Sequence, residues 1–246
     1  MCSISFSGWA ETFEEIKEMA EQGDAVAQNK LGNLYDSHEH GVRADDAKAF
    51  YWYLKAAEQG YAPAQANLSL QYAYGSSHVD RDYNQMVTWQ TKAAEQGYAR
   101  AQHYLGGAYA DGEGVFQNYR QAFNWYMKAA KQGYDRAQSE VAIFYHEGKG
   151  VPQNYKQAAK WYTKAAEQKW GRGGQDKIGD FYLEGKGVPQ SYVKAHMWYN
   201  IYAANGGWDG ARKRDNVAEK MTSDQIAEAQ RMASEMLEAN PKLLGE

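Results

Sequence analysis

Apolar positions in this chain recur at two spacings. The short one is helical. Ala101, Leu105 and Tyr109 fall at i, i+4 and i+8, and Ala122, Trp125, Tyr126, Ala129 and Ala130 keep a similar rhythm. At about 100° per residue each set forms one stripe, so both stretches read as amphipathic helices. The long spacing is a repeat. Trp52, Trp89, Trp125, Trp161 and Trp198 stand 37, 36, 36 and 37 residues apart. Each opens a shared phrase: WYLKAAEQG at 52–60, WQTKAAEQG at 89–97, WYMKAAKQG at 125–133, WYTKAAEQK at 161–169 and WYNIYAANG at 198–206. A second phrase lies upstream of each: AQNKLGNLY (27–35), AQANLSLQY (64–72), AQHYLGGAY (101–109), AQSEVAIFY (137–145) and GQDKIGDFY (174–182). A period of this length marks an array of one supersecondary unit and points towards a binding surface rather than an enzyme.

Residues 98–133 serve as the type unit. Gly106 costs its helix about 1 kcal/mol of propensity relative to Ala. Its recurrence as Gly32 and Gly179 implies a partner helix too close for a Cβ. Asp111-Gly112-Glu113-Gly114 ends that helix with glycines suited to a left-handed cap. Val115 and Phe116 are expected to drop into the turn as an apolar anchor. Asn118, Asn154 and Ser191 stand where a second helix needs its N-cap. The unit is therefore helix, short loop, antiparallel helix. One hairpin cannot bury both Tyr109 and Trp125, whereas stacked hairpins can, so Trp125 is expected in the core between neighbouring repeats.

The predicted fold is all-α: a right-handed α-α superhelix, or solenoid, of five helical-hairpin units at 24–60, 61–97, 98–133, 134–170 and 171–207. Helical caps at 1–23 and 208–246 complete one continuous domain, the N-terminal one read from residues 8–22. The last helix opens at Thr222-Ser223-Asp224-Gln225, a capping-box pattern, and closes at Asn240-Pro241. Ile226, Ala229, Met232, Ala233 and Met236 form its apolar stripe. The repeats also depart from one another. The first two carry one extra loop residue, and repeat two changes at Ser69 and Gln90. Gly171, Gly173 and Gly174 replace the usual text at the start of repeat five, which implies a frayed helix start or a bend.

Composition narrows the function classes. The 246 residues carry 27 basic and 31 acidic side chains, which argues against a nucleic-acid partner. A single cysteine, Cys2, excludes an intramolecular disulfide framework. No apolar run approaches the roughly 18 residues that a membrane span needs. No signal peptide is visible, so a cytoplasmic location is expected; a periplasmic or secreted one follows if a native signal preceded the Met1-Cys2 start. A monomer or weak oligomer is expected.

Candidate chemistry is sparse. Ser191-Tyr192-Val193-Lys194 matches the S-x-x-K of serine penicillin-binding enzymes, but neither K-T-G nor S-D-N occurs, and Ser191 occupies the N-cap slot of Asn118 and Asn154. His38-Glu39-His40 offers two histidines in one loop without the further ligands a zinc set requires. His146-Glu147-Gly148 lacks the second histidine of H-E-x-x-H. No catalytic residue, metal site or cofactor is therefore assigned. Most of the 20 tyrosines and 8 tryptophans fall at fixed repeat positions and read as core.

The unit A-x₂-LG-x₂-Y-x₂-G-x-GV, continued by A-x₂-WY-x-KAA-x-QG, resembles the Sel-one-like repeat (SLR) family, relatives of the tetratricopeptide repeat. Repeats three and four match almost throughout, and the resemblance covers roughly residues 8–207. It implies adaptor and scaffold proteins in bacterial envelope, signalling, secretion and host-contact systems, and in eukaryotic membrane-protein quality control. Some members are immunity partners of secreted effectors. A cysteine-rich branch is linked to penicillin binding, and its paired cysteines are absent here. The expected function is a non-catalytic protein- or peptide-binding scaffold of a bacterium, in virulence, secretion or envelope signalling. Alternatives are an immunity-type inhibitor of a secreted effector, and a weak penicillin-binding hydrolase.

The binding face follows from periodicity. With Leu31, Leu68, Leu105, Val141 and Ile178 as position seven, positions three, seven and eleven make the core stripe. Positions two, five, nine and twelve lie roughly opposite, on the concave side that first helices line in such arrays. They include Asn29, Asn33, Asp36, Leu70, Ala73, Arg100, His103 and Gly107 in repeats one to three. Arg136, Ser139, Ile143, His146, Asp176, Asp180 and Leu183 follow in repeats four and five. This face does not repeat: it is polar at the start, apolar at Leu70, basic or titratable from Arg100 to Arg136 and acidic from Asp176 to Glu184.

Overall fold

The computed structural model describes residues 12–37, 43–76, 78–168 and 172–244. Among these residues it holds thirteen α-helices and no strand, with a closing 3₁₀ turn at Pro241–Leu244. The chain divides into two units: residues 1–105 with 113–116, and residues 106–112 with 117–246.

The first unit contains α1 (Phe13–Glu21), α2 (Ala25–Ser37), α3 (Asp46–Glu58), α4 (Ala62–Tyr74), α5 (Tyr83–Glu95) and the start of α6 (Ala99–Asp111), which continues into the second. The α1 helix begins at Phe13 because Thr12 and Glu15 form a capping box, each side chain taking the other's backbone N–H. Residues 8–11 of the expected cap lie outside the described residues, as do Cys2, His38, Glu39 and His40. Neighbouring helices α1 to α5 pack in sequence order. One layer buries Leu31 with Ile16, Ala20 and Ala27, and the next buries Leu68 with Ala49, Tyr53, Ala56, Ala57 and Ala64. Alanines let the helices approach, and burying each Leu stabilises the fold by about 1.5–3 kcal/mol. The loop anchor is smaller than expected. Val115 is half-buried, but Phe116 is 97% exposed. Adjacent loop residues point to opposite sides, and only the Val side returns to the protein.

The second unit contains the end of α6, then α7 (Tyr119–Lys131), α8 (Asp135–Glu147), α9 (Tyr155–Ala166), α10 (Arg172–Glu184), α11 (Tyr192–Ala204), α12 (Gly210–Ala218) and α13 (Ser223–Ala239). Asn118, Asn154 and Ser191 cap α7, α9 and α11 by accepting the N–H of Gln121, Gln157 and Lys194. Gly150 takes a φ of 67°, and a Cβ there would also stand 2.5 Å from the Tyr119 carbonyl, so the loop closes on the preceding hairpin through glycine alone.

Trp125 is not the core residue it was expected to be. It is half-buried, with the Lys128 ammonium 3.7 Å above its ring. The neighbouring Tyr126 is the buried one, and a Cβ on Gly106 would come within 2.7 Å of its ring. The same pairing joins Gly32 to Tyr53 and Gly179 to Tyr199. One residue is a 100° turn of the helix, which carries Tyr126 towards the first helix and leaves Trp125 half-buried, whereas Trp161 and Trp198 are buried in their repeats. Gly174 is also a packing glycine: a Cβ would lie 2.7 Å from the Ala166 nitrogen, so α10 sits closer to α9 than the usual Ala at that position permits. Gly171 of the expected break lies outside the described residues. At the C-terminus α12 and α13 both pack on α11. Val217 joins Ala195 and Tyr199, Ala229 and Ala233 are buried, and Thr222 and Gln225 form the expected capping box.

Candidate functional site

In the first unit the face residues are bound to one another. The Asn67 amide donates to Asn29 Oδ1 at 3.0 Å and to Asn33 Oδ1 at 3.1 Å, while its own oxygen accepts from the Arg100 guanidinium. Gln71 donates to Asp36 at 3.1 Å, and the Tyr53 hydroxyl donates to Asn33 at 2.9 Å. Asn29 is buried, Arg100 half-buried, and Asn33 and Asp36 exposed. Leu70 and Ala73 are half-buried, and His103 meets Tyr104 edge-on at 5.3 Å. Three successive first helices thus share one amide network, which holds Arg100 in place. Asn67 and Gln71 were missed by the periodicity argument because they occupy positions six and ten, beside the chosen stripe.

In the second unit the face is divided. Arg136 is exposed, and Ser139, Ile143 and Leu183 are half-buried. The His146 ring packs edge-on against Tyr155, Tyr162 and Phe181. Asp176 and Asp180 were expected to make an acidic end. Lys213 of α12 instead reaches both, in contact with Asp176 and 3.1 Å from Asp180, and Lys177 lies 3.6 Å from Asp180. Burial opposes the Lys213 charge, yet its hydrogen bonds to Asp176 and Asp180 outweigh that and raise its pKa. The C-terminal cap therefore neutralises this end. Lys213 carries no repeat signal, so only the packing of α12 reveals its role.

Two recurrent side chains shape the face from behind. Gln28, Gln65, Gln102, Gln138 and Gln175 occupy position four of each first helix, and all are buried. Each donates to the carbonyl of Ala20, Ala57, Ala94, Ala130 or Ala166, at 3.1 to 3.4 Å. The recurrence of a polar residue at a buried position was the signal available in the sequence. Tyr53, Tyr162 and Tyr199, each directly after a repeat Trp, reach the face with their hydroxyls. Tyr199 donates to Asp180 at 2.7 Å, and burial, then that bond, holds its pKa well above the ordinary phenol range.

The S-x-x-K segment is a helix cap. Ser191 Oγ accepts the backbone N–H of Lys194 at 3.2 Å, while the Lys194 ammonium lies over the Tyr182 ring. The lysine amine is thus engaged away from the hydroxyl it would have to activate.

Hairpins of nearly constant length, a recurring core and a varying first-helix face define an α-helical repeat protein of the solenoid class. The chain belongs to the Sel1 repeat family, whose repeat matches residues 25–61, 62–98, 99–134, 135–170 and 174–207. It is similar to c5321, a protective antigen present in uropathogenic Escherichia coli strains displaying an SLR fold. The two are 33% identical across 94% of this chain and 50% of that one, with a TM-score of 0.85. A Sel1 repeat protein from Oxalobacter formigenes is 31% identical across 91% of this chain and 90% of that one, with a TM-score of 0.75. A stretch of 46 residues is 44% identical to the ERAD-associated E3 ubiquitin-protein ligase component HRD3B of Arabidopsis thaliana. That stretch is 19% of this chain and 8% of the plant protein, and the chain spans about half of the E. coli antigen. Sel1 repeat proteins generally act as non-enzymatic scaffolds for protein interaction. No helix among the described residues is long and apolar enough to cross a membrane.

Proposed function

We propose that this chain is a non-catalytic scaffold that holds a protein or peptide against its first-helix faces. One contrast carries the reading. Core positions recur from unit to unit, as in Leu31, Leu68 and Leu105, while position nine runs Asn33, Leu70, Gly107, Ile143 and Asp180. Packing demands the first kind of position and places no such demand on the second. The amide network around Asn67 presets the polar groups of the first unit, which lowers the ordering cost of binding. Likeness to the E. coli protective antigen favours a bacterial role in virulence, secretion or envelope signalling.

A photo-cross-linking amino acid at Ser139 or Ile143 tests the face. Both should cross-link to a discrete protein in a native lysate, and the same probe at Lys128 or Lys164, on second helices, should not. Cross-linking from Lys128 and Lys164 alone would place the binding surface on the second helices and overturn the assignment.

A further inference from the structure

Within the second unit a cavity of about 400 Å³ opens where the end of α6 meets α7 and α8. Tyr119, Tyr126 and Phe144 frame it. Both tyrosines stand edge-on to Phe144, with ring centroids at 6.1 and 5.4 Å. The next layer of the array repeats this frame with Tyr155, Tyr162 and Phe181, at 6.2 and 5.3 Å. There the corresponding space holds the His146 ring, 5.1 Å from Phe181 and 5.7 Å from Tyr155, with Nδ1 3.5 Å from the Tyr162 hydroxyl. The counterpart of His146 in the preceding repeat is Ala110, which lines the open cavity. The protein thus contains the same aromatic niche twice, once with a flat nitrogenous ring seated in it and once with the seat left to a methyl group.

The charges of the two niches differ. Asp111 and Glu140 line the open one; their counterparts in the filled layer are Glu147 and Lys177. Lys149 also lines the open niche, but it serves its own loop: its ammonium is 2.6 Å from Glu147 and lies over the Tyr119 ring. Lys186 does the same with Glu184 and Tyr155 in the layer where His146 is seated, so this lysine is not what fills a niche. The Glu140 carboxyl is held above its ordinary pKa, first by burial and then by Asp111 and Glu147, with Lys149 offsetting only part of that. Two carboxylates in a half-dry aromatic niche are stabilised by an added cation.

We propose that the Ala110 niche binds a planar cationic side chain, the guanidinium of an arginine on a partner segment, stacked among Tyr119, Tyr126 and Phe144 and paired with Glu140 and Asp111. Arginine suits this frame better than lysine because its charge is spread over a flat group that stacks on rings and meets carboxylates with two N–H bonds. It suits the niche better than histidine because it stays charged at neutral pH. The proposal rests on the scaffold reading only for the source of the arginine; the preference of the niche for a flat cation belongs to the niche.

The test is an NMR titration of the full chain with the capped peptide acetyl-Gly-Arg-Gly-amide, following the backbone amides of Ala110 and Glu140. Its neutral isostere, with citrulline for arginine, is titrated in parallel. The arginine peptide should produce saturable shifts, and the citrulline peptide should bind at least tenfold more weakly. Ala110→His should seat its own ring in the niche and weaken the arginine peptide at least tenfold, and Glu140→Gln should do the same without changing shape. If Ala110→His does not fold, Glu140→Gln decides alone. Equal binding of the two peptides, no saturable shift, or unchanged binding to Glu140→Gln overturns the proposal. None of these results depends on a natural partner, so a failed niche leaves the cross-linking result standing, and a failed cross-link leaves the niche standing.

Discussion

The Ser69 hydroxyl donates to Gln90 Oε1 at the contact where repeats one, three and five set a Gly against a Tyr ring. The Gln90 amide group donates to the Ala101 carbonyl at 3.0 Å, which turns its oxygen towards Ser69. The two departures of repeat two are therefore one exchange, a buried hydrogen bond in place of a ring on a glycine. Ser69→Ala should leave the Gln90 oxygen without its donor and cost about 1–3 kcal/mol. Ser69→Gly with Gln90→Tyr should restore the common pairing and be less destabilised than the two single changes together. Denaturant unfolding of Ser69→Ala, of Ser69→Gly, of Gln90→Tyr and of their double measures this, and strict additivity in the Ser69→Gly/Gln90→Tyr cycle would show that the residues are not coupled.

Tyr126 and Trp125 should rank in the reverse of the order expected from their prominence in the repeat. Tyr126→Ala removes a ring that is 5% exposed and should cost about 3–5 kcal/mol. Trp125→Ala loses a half-buried ring and the Lys128 contact, about 1–2 kcal/mol. A larger loss at Trp125 in thermal or chemical melts would mean that the Tyr is not the residue filling the hairpin.

Ser191 should behave as a cap and nothing more. Ser191→Asn should stay within about 0.5 kcal/mol of the parent, and Ser191→Ala should lose about 1 kcal/mol. Nitrocefin hydrolysis should not exceed background in any of the three. Turnover that disappears in Ser191→Asn would restore the hydrolase reading.

Lys213 should tie the C-terminal cap to repeat five. Its ion pairs with Asp176 and Asp180 are only partly exposed, at 24%, 18% and 28%, so they fall between surface and buried pairs. Lys213→Ala should cost about 1–2 kcal/mol, and hydrogen exchange in α12 should quicken. Unchanged exchange there would show that Val217 and its apolar neighbours hold the helix alone.

Glu140 should make stability fall with rising pH in the weakly acidic range. Its folded pKa is raised above 4.5, so in the window between that value and the folded pKa the native state holds more protons than the unfolded chain. Stability therefore decreases as pH climbs through the window and is fully relieved of this penalty below it. Glu140→Gln should melt higher than the parent at pH 7 and lose that advantage below about pH 4, where the carboxyl is protonated in both states. A melting difference independent of pH would assign the effect to packing.

Periodicity and composition alone determined the repeat, the hairpin, the caps at Asn118, Asn154, Ser191 and Thr222, and the close approach at Gly32, Gly106 and Gly179. These features are local or recur, so each copy corroborates the others. Tertiary structure decided which of two adjacent aromatics is core, because the sequence marks Trp125 and Tyr126 equally and only the direction of the partner helix separates them. It also decided the state of the face residues. Whether Asn29 is free or spoken for depends on Asn67, 38 residues away, and the ion pairing of Asp176 and Asp180 depends in part on Lys213 in a helix outside the repeat. The exchange of His146 for Ala110 is written in the aligned repeats. That it opens a space lined by two carboxylates follows only once α6, α7 and α8 are packed, because a cavity belongs to the gap between helices and not to any one of them.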